Sequence, residues 1–179
     1  MIINERNNRD ERVLASANAL LNTIRTAPKA KGVDIIEAAI VTDEEIKHLA
    51  EDMVRLSDEC GMKFLLRDAQ NILTSSAIVL IGTRILPLGL NCGYCGYETC
   101  SAMQAHKGNI SCALNQVDLG IAIGSACKMA SEMGIDTRVM FSAGKSAKRL
   151  NYLPECHSIY ALPLSCTSKS PFFDRKVEH

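Results

Sequence analysis

The chain has 179 residues, 20 Lys and Arg against 20 Asp and Glu, 47% hydrophobic residues and 22% charged ones. This composition excludes a disordered chain, which lacks the apolar content to fold, and a nucleic-acid binder acting through bulk positive charge. Eight Cys in 179 residues fall below the roughly 8–10% of a small disulfide scaffold, and the length suits a single domain with a real core.

In chain order, MIINERNNRDER has charges and no apolar h-region, so no secretory signal is expected. Val13, Leu14, Ala17, Leu20, Leu21 and Ile24 recur at helical spacing and predict an amphipathic helix over about 10–26, ended by Pro28 and Gly32. Ile35–Val41 reads as a buried strand. Thr42-Asp43-Glu44-Glu45 reads as a capping box opening a helix with Ile46, Leu49, Ala50, Met53 and Val54 on one face. That helix stops near Gly61. A helical stretch around 65–73 leads into a second strand, Ala77–Ile81. Ala69–Thr83 is the longest uncharged run, at 15 residues, short of the roughly 18 that span a bilayer. A cytoplasmic location with no membrane partner is expected, and thiols stay reduced there. Arg84–Asn91 reads as a loop, and Glu98-Thr99-Cys100 as a helix start. Gln116–Gly134 is the most buried-looking helix, with Asp118, Ser125, Lys128 and Glu132 on one narrow polar arc. Arg138–Phe141 (strand), Lys145–Leu150 (helix) and Ser158–Leu164 (strand) follow. Mixed helices and short strands predict a layered α/β or α+β domain.

Charge is unevenly placed. Residues 1–84 carry 24 charged side chains, whereas residues 85–127 carry three, Glu98, Lys107 and Asp118. That charge-poor stretch holds Cys92, Cys95, Cys100 and Cys112 in the pattern C-x2-C-x4-C-x11-C. Gly93 and Gly96 permit the tight backbone path of a loop around a metal centre, and loop N–H groups can donate to cluster sulfides. The spacing favours an iron–sulfur cluster. Structural zinc usually shows two C-x2-C knuckles. A C-x-x-C redox pair calls for a thioredoxin-like pattern that is missing, and chance clustering of buried thiols in a Gly loop is the remaining alternative. Cys60, Cys127, Cys156 and Cys166 sit among apolar residues and read as buried, inert thiols.

Gly89-Leu-Asn-Cys-Gly-Tyr-Cys-Gly-Tyr-Glu-Thr-Cys100 resembles the small four-cysteine [4Fe-4S] domain of electron-transport and corrinoid-protein systems, in which C-G-x-C-G-x-x-x-C precedes a more distant Cys. The last gap here is shorter than in that domain, so Cys127, Cys156 and Cys166 stand as substitutes for Cys112. The whole chain resembles a family described as ferredoxin-domain-containing proteins. Outside 85–112 it also resembles the flavin nitroreductase fold. Ile24-Arg-Thr-Ala-Pro-Lys29 is similar to the segment after that family's first long helix, and Val117–Gly124 through Glu132–Ile135 to its central buried helix. Leu153-Pro-Glu, Ile159–Leu164 and Pro171 to Lys176 are similar to its last strand and basic tail.

The resemblance implies an α+β, nitroreductase-like three-layer fold over a single domain, 1–179, with an inserted [4Fe-4S] module at 85–115. It implies a homodimer with FMN at the interface, its phosphate held near both chain ends by Arg6, Arg9, Arg175 and Lys176. Lys29 replaces the family's Ser after Pro, and Asp34 stands near its usual Asn. Three functions remain open: a [4Fe-4S] oxidoreductase, with or without FMN; an electron carrier or redox sensor using the cluster and a redox partner protein; and a structural zinc module. Nucleic acid is not an expected partner. Gly144-Lys-Ser146 is no P-loop, since Val139 stands where a Gly is required. Gly120 and Gly124 read as sites of close helix packing. His48, His157 and His179 read as surface residues, and His106 as a neighbour of the cysteine loop.

Overall fold

The computed structural model describes residues 1–106 and 110–173. Four strands form one antiparallel sheet in the order β1-β2-β4-β3: β1 (Ile36–Val41), β2 (Ala77–Thr83), β3 (Asp136–Thr137) and β4 (Ser158–Ser165). Six α-helices accompany it: α1 (Arg9–Thr26), α2 (Asp43–Cys60), α3 (Phe64–Ile72), α4 (Cys100–Ala105), α5 (Ala113–Glu132) and α6 (Phe141–Arg149).

Alternation along β2 builds two cores. Ile78 and Leu80 face α2, α3 and α6. Ala77, Val79 and Ile81 face α1 and α5. Every β2 residue is buried, because the strand is paired on both edges and covered on both faces. The result is three layers, helix on sheet on helix, as expected. Pro163 is tolerated inside the sheet for a local reason. Ala161 exchanges hydrogen bonds with Met140 (2.8 and 3.0 Å) on the β3 side, so the nitrogen two residues on faces the gap between β3 and Met140, where no ladder bond is needed.

Several sequence expectations need correction. Thr42 does not form a capping box: its side chain makes no cap hydrogen bond, and Glu45 N–H donates to the Thr42 carbonyl at 3.1 Å. The Glu45 carboxylate instead accepts from the Tyr152 hydroxyl. On α2, Val54 is exposed while Ile46, Leu49, Ala50 and Met53 are buried, and Leu14 on α1 is likewise exposed. The strand read at Arg138–Phe141 is a single bridge, Met140 to Ala161, with β3 just before it. The short helix read at Lys145 begins earlier, at Phe141. On α5, Asp118 does not join the polar arc: it is 3% exposed and accepts from Ala30 N–H at 3.0 and 3.1 Å. Gly120 and Gly124 pack against nothing, since a Cβ at either would meet no atom within 4 Å. Their face, with Val117 and Ile121, is exposed. Gly144 is a helical glycine of close packing, because its Cβ would stand 1.9 Å from the Ile159 carbonyl oxygen. No helix among the described residues is long and apolar enough to cross a membrane.

Candidate metal centre

The charge-poor segment leaves the sheet at the end of β2 and is fastened before it reaches the first candidate thiol. Leu88 is buried, and its carbonyl accepts from Lys31 Nζ at 3.1 Å. Asn115, fully buried on α5, accepts from Leu86 N–H at 2.9 Å and donates to the Leu86 carbonyl at 3.1 Å. Leu86 and Leu90 flank Leu88 with exposed side chains. The chain then turns out through left-handed residues, Asn91 at φ 47 and Gly93 at φ 74, with a further one at Gly96, φ 86. Gly96 N–H donates to the Gly93 carbonyl at 2.9 Å and closes a tight turn between Cys92 and Cys100.

Three thiols lie on this loop: Cys92 exposed, Cys95 and Cys100 half-buried. The two ends of the loop meet, since Asn91 Oδ1 accepts from Cys100 N–H at 2.8 Å. Cys100 opens α4, which Thr99 caps by accepting from Ala102 N–H at 3.1 Å. Met103 anchors α4 with a buried side chain. His106 follows, its ring 5.8 Å from that of Tyr97 in an edge contact. Helix α5 starts three residues earlier than expected, which makes Cys112 its N-cap residue, 5% exposed. Just inside the helix, Gln116 Nε2 donates to Ser111 Oγ at 2.6 Å and to Ser158 Oγ at 3.1 Å, tying this end of α5 to the start of β4.

Among the described residues, no three His, Cys, Asp or Glu side chains converge at metal-holding distance. The fold gathers the thiols of Cys92, Cys95 and Cys100 on one loop and puts Cys112 on the helix that holds the loop's stem, without closing the four around a point. The donor set itself fits a thiolate-held centre: soft ligands, a Gly-bearing backbone, and Glu98 as the one charged side chain between residues 85 and 106. Two of the substitutes for Cys112 lie in other parts of the fold. Cys127 lies 15 residues further along α5, about 22 Å at the helical rise. Cys156 is buried against Gly82, where a Cβ would stand 2.6 Å from its sulfur. The four remaining thiols are not uniformly buried as read from sequence: Cys60 is exposed, Cys127 and Cys166 are half-buried, and Cys156 alone is buried. Burial pushes the Cys156 thiol up to about 11, with the Glu37 carboxylate adding to it.

The flavin-phosphate candidates are placed differently. Arg9 is held by Glu5 in a two-pronged pair of 2.9 and 3.0 Å, and Arg6 lies in the turn of 3-10 helix just before α1. Arg175 and Lys176 lie outside the described residues, as does His179. Lys29 turns inward, 5% exposed, and donates to the Ile24 carbonyl at 2.8 Å. Burial there pushes its ammonium pKa down. Asp34 bonds Arg25 at 2.6 Å; burial pushes its carboxyl up, but the hydrogen bonds from Arg25 and the Ile36 N–H outweigh that and hold it below the usual range. Lys29 and Arg25 thus converge on Asp34, while Arg9 pairs separately with Glu5. Sequence reasoning missed Asn91 and Asn115. An Asn before the first Cys, beside glycines, was the available signal for the first.

The three-layer arrangement is that of the nitroreductase-like flavoproteins. A nitroreductase with bound FMN from Bacteroides fragilis superposes with a TM-score of 0.62 at 13% identity, over 92% of this chain and 83% of that one. A BluB-like flavoprotein from Clostridium difficile gives 0.60 at 12% identity, over 92% and 84%. At such identity the likeness is one of fold. The sequence places the chain more closely: it belongs to the family described as uncharacterized proteins containing a ferredoxin domain (DUF2148), whose profile matches residues 108–175. A protein from Archaeoglobus fulgidus is 40% identical over 182 residues, 98% of each chain. The matched span includes Cys112 and begins after the other three candidate thiols.

Proposed function

We propose that this protein is an iron–sulfur redox protein whose [4Fe-4S] cluster is held by Cys92, Cys95, Cys100 and Cys112. One observation carries the reading: three thiols lie on a loop whose ends are tied by the 2.8 Å Asn91–Cys100 bond, while the fourth caps the helix whose Asn115 grips the loop's stem. The ferredoxin-domain family supports it. Because metal binding is coupled to folding, the four sulfurs would converge as the metal is bound. Such a cluster supplies one-electron transfer. The chain's part is to hold the thiolates, to offer loop N–H groups to sulfur, and to keep charge away. Cys92 and Tyr94 on the outer surface leave the loop open to a redox partner protein. The protein acts in the cytoplasm as a homodimer packed through the exposed Val117, Gly120, Ile121 and Gly124 face of α5.

A second reading, an oxidoreductase that also uses FMN, is favoured by the fold shared with an FMN-bound nitroreductase. Within the described residues, Lys29, Asp34 and Arg9 already have partners in the chain. Anaerobic purification with metal, sulfide and flavin analysis tests both. About four iron per chain with broad absorption near roughly 400 nm is expected. Zinc without iron ends the redox reading, and stoichiometric flavin moves the second reading ahead of the first.

A further inference from the structure

We infer that Asn91 is a positioning residue for the cluster loop, a latch that holds the first and third thiols at one mouth; this rests on the iron–sulfur reading above. Asn91 immediately precedes Cys92, and its side-chain oxygen accepts from the backbone N–H of Cys100 itself at 2.8 Å. The Cα atoms of Asn91 and Cys92 are about 3.8 Å apart, so one side-chain bond spans nine positions and ties the backbone next to the first ligand residue to that of the third. The backbone of Asn91 matters as much as its amide. At φ 47 it is left-handed, a conformation that Asn tolerates better than other non-Gly residues. That turn aims the side chain back across the loop while the main chain goes outward into Cys92. An Asn thus meets both demands, a left-handed φ and a short acceptor.

The latch also accounts for the Cys100 N–H. As the first residue of α4, Cys100 has an N–H with no helical partner. With Asn91 holding it, this N–H does not donate to a sulfur of the cluster. The remaining bonds within the loop are local: the Gly93–Gly96 turn and the Thr99 cap. Neither joins one end to the other. Loss of the latch frees the Cys92 end to swing while leaving α4 capped, so the ligands must be gathered from a wider loop.

The test is iron release from the anaerobically purified holoprotein under excess chelator, with the midpoint potential measured beside it. Asn91→Gly keeps the left-handed backbone and removes the acceptor; Asn91→Asp keeps both. Thr99→Ala removes the α4 cap without opening the loop. Asn91→Gly is expected to release iron about tenfold or more faster, the usual scale for loss of an outer partner, and to move the potential upward as the Cys100 N–H turns to sulfur. Asn91→Asp and Thr99→Ala are expected to retain iron as the wild type does. Equal release from Asn91→Gly and wild type overturns the latch, as does equal acceleration by Asn91→Gly and Thr99→Ala, which reduces Asn91 to a helix cap. If the glycine variant does not fold, Asn91→Ser replaces it, its hydroxyl being too short to span the gap. Wild-type protein that carries no iron overturns the iron–sulfur reading and the latch with it.

Discussion

Asn115 grips the backbone of Leu86 from both sides, its amide oxygen accepting from the Leu86 N–H at 2.9 Å and its amide nitrogen donating to the Leu86 carbonyl at 3.1 Å. The side chain acts as a one-residue strand partner for a loop that has left the sheet. Asn115 is fully buried, and its two bonds to Leu86 are part-buried. Asn115→Ala leaves the Leu86 groups without these partners and should cost about 2–4 kcal/mol in denaturant unfolding, at roughly 1–3 kcal/mol per unsatisfied buried group. Asn115→Asp should cost more at neutral pH, because it loses the donor and buries a charge. Wild-type stability in either variant would show that the loop stem is not held from α5.

Gly144 and Gly124 are both helical glycines, with opposite expectations. Gly144→Ala drives a Cβ to within 1.9 Å of the Ile159 carbonyl oxygen, pushing α6 off β4. It should destabilise by about 1–3 kcal/mol as an overpacked contact, despite the roughly 1 kcal/mol that Ala gains over Gly in helices. Thermal unfolding measures the sign.

Gly124 faces open space in the isolated chain. Gly124→Arg should stabilise the monomer by roughly 0.5–1 kcal/mol, since Arg is a far better helix former than Gly, yet convert a homodimer to monomers in light scattering. A variant that stays dimeric removes the α5 face from the proposed interface.

Thiol reactivity should divide by position. In the iron-free protein at pH 8, alkylation should take the two exposed thiols, Cys60 and Cys92, first and Cys156 last. The folded pKa of Cys156, raised to about 11, lies above that of an unfolded thiol. The folded chain therefore holds this proton more tightly. The resulting stability is complete below the unfolded value, roughly 8.5, and fades as pH rises through about 11. Mass spectrometry of labelled peptides against pH reads both effects. Rapid labelling of Cys156 in folded protein at pH 8 would contradict its burial.

Much of the architecture is legible along the chain because periodicity is a local property. Ile46, Leu49, Ala50 and Met53 repeat at the helical period and are buried on α2; Ala77 to Ile81 is a continuous apolar run and forms a strand covered on both faces. The cysteine spacing is likewise plain in sequence. Features that depend on one φ angle or on a distant element are not. Thr42 fits a capping box by residue type, but Asp43 takes φ 51 and the side-chain cap bond is not made. Asp118 reads as a solvent-facing acid on α5; it is buried because the backbone N–H of Ala30, 88 residues away, supplies its partner. Gly120 and Gly124 look like a packing motif, yet within the chain that role falls to Gly144, because β4 crosses there.

The sequence by itself determined the helix and strand faces, the charge-poor segment and the four thiols at C-x2-C-x4-C-x11-C, since each is a matter of residue type and spacing. Only the tertiary structure decided that β2 and β4 are the inner strands, that Asn115 holds the stem of the cysteine loop, and that Asn91 ties the loop's two ends. The last two are hydrogen bonds between residues 29 and 9 positions apart, and such partners are chosen by packing in space rather than by order along the chain.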